Sequence, residues 1–324
     1  MTVQSHLRQL LESNKSTFLS GEEIARRLGV SRNAVWKAIK ALQAEGYPIE
    51  AVPNKGYCLS ASSDVLSSSG IRQYLTGEAQ SLSLHVFDSV TSTNLVLRDL
   101  AAKGAPEGTV VVAAHQTGGR GRKGRSFFSP AGTGVYVSLL LKPKIKPDDA
   151  TLITTTAAVA VCEAVELLSG RRAQIKWVND VFLDGKKICG ILTEGAIDME
   201  SGQFDYAVLG TGINVYTPAG GFPEEIRQIA GSVFASPAPD AKNRLIAAYL
   251  NRFLARYREL GSADTNAEYR DRSFVVGRRI TVLSGERATP ALALGVDDRC
   301  RLLVEYDDGA QEALSSGEIS IKLT

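Results

Sequence analysis

Apolar residues recur with helical spacing in three short stretches between residues 5 and 45. Leu7, Leu10 and Leu11 mark the first. The second opens on Ser20-Gly-Glu-Glu23, where Ser20 can accept from the amide of Glu23 while Glu23 reaches back. It runs through Ile24, Ala25 and Leu28 and stops at Gly29. The third, SRNAVWKAIKALQAEG, begins at Ser31, buries Val35, Ala38, Ile39 and Leu42, and ends at Gly46. Two helices joined by a glycine-containing turn predict a helix-turn-helix. YPIEAVPNKGYCLS then reads as two short strands around Asn54-Lys55-Gly56, a wing.

SASSDVLSSSG (60 to 70) is serine-rich and poor in apolar residues, as expected of a connection. Beyond it the pattern alternates. β-rich runs fall at 84 to 90, 109 to 115, 134 to 141, 173 to 178, 187 to 197 and 206 to 215, with helix candidates at 93 to 103, 148 to 169 and 240 to 260. A hairpin at 180 to 190 predicts a mixed sheet, backed by helices on one side. After residue 272 only short strands remain (RRITVL, LALGV, RLLVEY, ISIKL), with turns at Ser284-Gly285 and Asp308-Gly309, the pattern of a small β-barrel. The expected organisation is α+β and multidomain: a winged helix-turn-helix at 1–62, a linker at 63–82, a central domain at 83–272 and a barrel at 273–324.

Composition narrows the class. With 324 residues, 44% hydrophobic and 22% charged, the chain reads as an ordinary globular protein of two or three domains. Its net charge of +2 is too small for bulk attraction to nucleic acid, so any DNA contact needs a local patch. Cys58, Cys162, Cys189 and Cys300 lack CxxC spacing, and His6, His85 and His115 form no cluster with them. That argues against a zinc site or disulfide framework and for a reducing compartment. The N-terminal MTVQSHLRQLLESNKS has no signal-peptide core, so the cytoplasm is expected and no membrane partner is.

A local patch exists. The third helix leaves Arg32, Asn33, Trp36, Lys37 and Lys40 facing outward after Ser31, and Lys55 sits in the wing. Arg and Asn can read base edges and the lysines can touch phosphates. Residues 1 to 62 hold eight Lys or Arg against five Glu, which also suits a protein-interaction domain with a solvated basic face. Trp36 could equally cover the helix junction.

The densest cationic stretch is GGRGRKGRS, 118 to 126. Glycine backbone and clustered like charges make it costly to order, so an anion is expected there. Gly119 to Ser126 matches the phosphate-binding P-loop pattern except for Arg125 in place of lysine, but FFSPAGTG and a strand follow where a helix is required. A nucleotide held by another kind of loop is the remaining reading.

Ser92-Thr93-Asn94, the GRGRKGR loop, Lys176-Trp-Val-Asn-Asp180 with Lys187 downstream, GTGINV and a terminal SGE follow one another in the chain. In that order they resemble the bifunctional biotin–protein ligases that also repress the biotin operon, over nearly the whole length. The resemblance implies a class II synthetase-like ligase core and an SH3-like terminal barrel. It further implies joining of biotin to the α-phosphate of ATP, then transfer to a lysine of a biotin carboxyl carrier protein. Mg²⁺, operator DNA and an adenylate-promoted homodimer are implied partners; no carboxylate cluster marks metal ligands.

Carried over by motif, Lys187, Arg122 and Asp180 are the catalytic candidates. Ser92, Thr93, Asn94, Gln116, Arg120, Gly121, Arg122, Lys187, Gly210 and Gly212 would hold biotin. Arg120, Arg122, Arg125, Phe127, Phe128, Lys176, Asn179 and Asn214 would hold ATP or the adenylate. Gly118, Gly119, Gly121 and Gly124 would let backbone amides approach. Asp180 reads either as the acceptor of the incoming lysine's proton or as a turn residue. Ser92 and Thr93 read either as ureido contacts or as helix caps, and the phenylalanines as adenine cover or core. Lys186 reads as solvated. Val178 stands where the family commonly has proline, and Cys300 where it often has glycine. A lipoate–protein ligase, a biotin-sensing repressor without turnover, and a ligase whose N-terminal domain has lost DNA binding are the alternatives.

Overall fold

Side-chain caps set the first helices. In the computed structural model, which describes residues 2–198, 200–284, 287–315 and 317–320, α1 (Val3–Glu12) starts at Thr2, α2 (Gly21–Leu28) at Ser20 and α3 (Arg32–Ala44) at Ser31. Each cap oxygen accepts a first-turn amide. Glu23 does not complete the reciprocal cap; its carboxylate pairs with Arg27 one turn on. Gly29 ends α2 in the left-handed region. Strands β1 (Ile49–Val52) and β2 (Gly56–Leu59) form the wing. At Gly56, with φ of 106°, a Cβ would lie 2.1 Å from the Leu19 carbonyl oxygen. Leu7, Leu11, Ile24, Val35, Ile39, Leu42 and Leu59 fill the core among these elements.

The chain divides into two compact units, Met1–Leu75 with Ser236–Ala247, and Thr76–Ala235 with Ala248–Thr324. The serine-rich stretch read as a spacer is folded. Ser63 and Ser67 are buried within it. Ser67 caps the short α4 (Ser68–Arg72) and donates to Glu12 Oε1 at 3.0 Å, and Ile71 is fully buried. Lys15 reaches Asp240 at 2.9 Å and Glu12 at 3.4 Å.

The second unit is built on a seven-stranded sheet. Its strands are β3 (Ser83–Phe87), β4 (Thr109–Ala113), β5 (Gly134–Leu141), β6 (Gln174–Lys176), β7 (Asp180–Leu183), β8 (Lys186–Ile197) and β9 (Phe204–Asn214). The order is β3-β4-β5-β9-β8-β7-β6, with only β3–β4 parallel. Register sets Gly190, Gly212 and Tyr136 in one row, Leu192, Gly210 and Ser138 in the next, and Glu194, Val208 and Leu140 in the third.

Helices cover both faces, not one. Leu97 of α5 (Thr93–Ala102) packs on Val111, Leu140 and Val208. The other face carries α6 (Thr151–Ser169) and α8 (Ala241–Tyr257), where Thr154 meets Thr193 and Tyr249 meets Thr211, each at 2.8 Å. Within Pro147–Ser169 a stretch with mean hydropathy of 1.6 is long and apolar enough to cross a membrane by length and composition, yet α6 is buried from Ile153 through Cys162 as a core helix. The short α7 (Glu224–Arg227) lies before α8, and α9 (Ala263–Arg272) follows it. The composition of α9, ADTNAEYRDR, has no apolar stripe, which is why the pattern did not reveal it.

Strands β10 (Arg279–Ser284), β11 (Arg287–Val296), β12 (Leu302–Tyr306), β13 (Gln311–Leu314) and β14 (Glu318–Ser320) make an antiparallel sheet ordered β13-β12-β11-β10-β14. Among the described residues its ladder is open between β13 and β14, and its five short antiparallel strands are those of the small β-barrel expected. The Asp308-Gly309 turn is present, with Gly309 N–H donating to the Tyr306 carbonyl. The expected Ser284-Gly285 turn and the ISIKL strand run partly outside the described residues.

Candidate functional site

The pocket floor is made of glycines. Gly190, Gly212 and Gly210 lie side by side on β8 and β9, so no side chain rises from the sheet there. A Cβ on Gly212 would stand 2.6 Å from the Phe127 ring, and one on Gly210 would stand 2.1 Å from Asn94 Oδ1. Around this floor is a cavity of about 420 Å³, within the range of small-molecule sites.

One wall is the cationic loop. It is ordered as a tight hairpin: Gly121 N–H donates to the Arg125 carbonyl at 2.7 Å, Phe127 N–H to the Gly119 carbonyl at 2.9 Å, and Gly118 N–H to the Thr91 carbonyl at 2.8 Å. No helix follows Ser126, in keeping with rejection of the P-loop. Arg120, Gly121, Arg122 and Arg125 all line the cavity. Arg122 donates to Asn179 Oδ1 at 3.2 Å, and Asn179 is itself held by donating to the Ile191 carbonyl at 2.9 Å. Arg120 faces Glu194 at 3.4 Å.

Lys176, Asp180 and Lys187 also line the cavity. Lys187 Nζ lies 2.7 Å from Asp180 Oδ1, joining the two residues the motif singles out in one ion pair. The backbone of Lys187 is tied as well. Its N–H donates to the Ile229 carbonyl at 2.7 Å, and its carbonyl accepts from Gly231 N–H at 2.8 Å. Lys186, read as solvated, donates through Nζ to the Gln228 carbonyl. Asn214 does not line the cavity; it donates to the Gly231 carbonyl at 3.0 Å and so pins the same segment.

Ser92, Thr93, Asn94 and Gln116 line the cavity together. Ser92 occupies the N-cap position of α5 but makes no side-chain capping bond. The first-turn amide of Thr93 donates instead to Gln116 Oε1 at 2.8 Å. Phe127 lies on the glycine floor, edge-on to Tyr136, and Phe128 is exposed against Phe222, outside the cavity lining.

Several lining or supporting residues escaped the sequence reading. Leu283, Ile319 and Ser320 come from the C-terminal sheet, and Lys123 reaches the Leu283 carbonyl at 3.4 Å. No motif marks them because they arrive from a remote part of the chain. Trp177 donates to the Cys300 carbonyl at 2.9 Å, and Tyr269 to the Val178 carbonyl at 3.1 Å, so the segment before Asp180 is held from two directions without a proline. Cys300 adopts φ of 57°, the left-handed conformation that explains a glycine preference at its position. Ser138 is a lone polar residue in the buried run GVYVSLLL, a signal that could have been noticed.

Burial raises the thiols of Cys162 to about 12 and Cys300 to about 11, and that of Cys189 also upward, so none offers a thiolate. Among the described residues no cluster of His, Cys, Asp or Glu is placed to hold a metal, and Asp180, the carboxylate lining the cavity, is already paired.

In the first unit, Arg32, Asn33, Lys37 and Lys40 are exposed on α3 and Trp36 is 50% exposed, so the tryptophan does not seal the helix junction. Helix α3 carries no acidic residue. Lys55 is exposed in the wing turn, its ammonium 5.9 Å from the Phe18 ring centroid.

Family models match in the same order. Residues 3–58 match an HTH domain, 86–214 the biotin/lipoate A/B protein ligase family, and 275–322 the biotin protein ligase C-terminal domain. The bifunctional ligase/repressor BirA of Bacillus spizizenii is 37% identical over 97% of this chain and 98% of its own, and that of Escherichia coli K12 is 29% identical over 99% and 98%. The biotin protein ligase from Aquifex aeolicus in complex with biotin and ATP superposes with a TM-score of 0.61 at 28% identity, covering 74% of this chain and 98% of that one. The chain belongs to the family of bifunctional ligase/repressor proteins.

Proposed function

We propose that this chain activates biotin with ATP, transfers it to a lysine of a biotin carboxyl carrier protein, and represses transcription in response to biotin. The observation that carries the ligase reading is the convergence of Arg120, Arg122 and Lys187 on one cavity above a glycine floor. Bringing a carboxylate to a phosphate costs roughly 1 kcal/mol at ~4 Å in water and several times more in a partly buried site. Fixed cations remove that cost, and guanidinium forks match both anions.

In the first step the biotin carboxylate attacks the α-phosphorus and pyrophosphate leaves. Arg120 and Arg122 neutralise the approach, and Lys187 follows the charge onto the bridging oxygen. In the second step a lysine amine attacks the acyl carbon and AMP leaves. Once Lys187 turns to the substrate, Asp180 is free to hold the incoming ammonium and accept its proton. Its present pairing with an ammonium at 2.7 Å supports that role over a turn residue alone. The described residues build no metal cage, so Mg²⁺ would come with the ATP phosphates, and no step here depends on it.

The exposed basic face of α3 and the wing lysine support major-groove docking on operator DNA, and residues 216 to 232 with the cationic loop would order around the adenylate to favour a homodimer. Buried unpaired thiols suit a reducing cytoplasm. The decisive measurement is biotin-dependent ATP–pyrophosphate exchange. Wild type shows it, lipoate does not replace biotin, and Lys187→Ala loses at least ~10²-fold. A sensor without turnover would show none.

A further inference from the structure

We propose that Trp36 is a specificity-determining residue of the first unit: its indole reads a thymine in the major groove, packing on the C5-methyl and donating Nε1–H to the adjacent O4. The inference rests on the operator-binding reading and names a base that α3 selects.

Helix α3 divides its residues between two faces. Val35, Ala38, Ile39 and Leu42 are buried, while Arg32, Asn33, Trp36, Lys37 and Lys40 are exposed. Trp36 lies one turn after Arg32 and one turn before Lys40, so it sits within the cationic stripe rather than at its margin. Tryptophan is a highly buried residue on average. Trp177 follows that rule at 3% exposed, whereas Trp36 breaks it at 50%. The charge around the exposed ring fixes the sign of whatever covers it. Arg32, Lys37 and Lys40 flank it, α3 has no acidic residue, and Glu45 beyond its end is taken by Arg8 at 2.9 Å. An anionic partner is required, and a second helix of a helix-turn-helix beside a wing that exposes Lys55 has the shape for duplex DNA.

Helical side chains lean toward the helix N-terminus, which brings the indole over the turn of Arg32 and Asn33. That end of a recognition helix meets the base edges. An indole offers a flat apolar body and one N–H donor, with no acceptor. Adenine and cytosine each present an amino donor in the major groove, which the indole cannot satisfy. Guanine presents acceptors but no apolar group. Thymine alone sets a methyl beside an acceptor, so it alone matches both parts of the ring. The neighbours cannot do the same, because a guanidinium suits guanine and a carboxamide suits adenine.

The test uses the full chain with biotin and ATP to select duplexes from a randomised library. The selected duplex is then titrated by fluorescence anisotropy with each thymine in turn replaced by deoxyuridine, which removes only the methyl. Wild type is expected to show one thymine per half-site whose replacement weakens binding about fourfold, the worth of one buried methyl. Trp36→Ala is expected to bind the parent duplex about tenfold more weakly and to ignore the methyl at that position. Trp36→Phe keeps an apolar ring without the N–H, so it retains the uracil penalty and keeps the test open should the alanine variant fold poorly in urea titrations. The slope of log affinity against log salt should be unchanged in Trp36→Ala, since no cation is lost, whereas Lys37→Ala should lower it by about one. If deoxyuridine at every thymine leaves wild type unaffected, or if Trp36→Ala keeps the wild-type penalty at the same thymine, the assignment is overturned. Equal DNA binding by wild type and Trp36→Ala also overturns it and turns the ring toward an acidic protein face. A library from which no duplex is enriched would instead remove the operator-binding reading, and the thymine contact with it.

Discussion

At the scale of single residues, the pocket is governed by what is missing from β8 and β9. Gly210→Ala would drive a methyl group to within 2.1 Å of Asn94 Oδ1, which is fixed on both sides, so the neighbour cannot yield. We expect a loss of about 1–3 kcal/mol in stability and a raised KM for biotin, measured by thermal melting and initial rates. The KWVND and GTGINV motifs announced Lys187, Asp180 and Gly210 because their residue types are chemically unusual for a strand. Glu194 and Leu283 were silent in the sequence, since a carboxylate and a leucine are common everywhere and acquire meaning only from where the fold places them, whereas Ser138 stood out in its apolar run. Asn214 shows the converse. Its motif suggested ligand contact, yet its amide holds the Gly231 backbone.

Among elements, α3 depends on a single hydroxyl for its start. Ser31 accepts from Ala34 N–H at 3.2 Å, and Ser31→Ala should cost about 1 kcal/mol and weaken operator binding by fraying the turn that bears Arg32 and Asn33. Unfolding of the first unit in urea, alongside DNA titration, checks both effects. Helix α1 carries a different liability. Glu12 is 2% exposed, and desolvation raises its pKa above 4.5 despite the opposing pull of Lys15. A carboxyl whose folded pKa is raised contributes stability while protonated and loses it as pH climbs from the unfolded value through the folded one. Glu12→Gln should therefore gain on wild type more at pH 7 than at pH 4.5 in urea midpoints. An equal difference at both pH values would mean that ionisation of Glu12 carries no such cost. Helices with apolar stripes were readable from the sequence, whereas α9 was not, because its place comes from Arg272 pairing with Glu166 and Tyr269 filling the core.

For the whole molecule, ligation and repression are joined only if the adenylate binds the dimer-competent state more tightly than the monomer. Sedimentation should show dimerisation strengthened by biotinyl-adenylate, and operator affinity should fall steeply with salt because the contacts are cationic. An adenylate-indifferent association constant would separate the two activities. The order of three segments was plain from composition and turn residues. The inclusion of 236–247 with the N-terminal unit was not, because an ion pair between Lys15 and Asp240 spans more than two hundred residues of sequence.

Both backbone hydrogen bonds of Lys187 go to residues 229–231. Anyone engineering this protein by grafting a foreign peptide or a protease site into the preceding stretch would be altering the footing of its principal lysine, however remote that stretch looks from the chemistry. Insertions intended to be silent belong elsewhere, such as beside Gly202, whose N–H donates to the Asp198 carbonyl beyond the opposite end of β8.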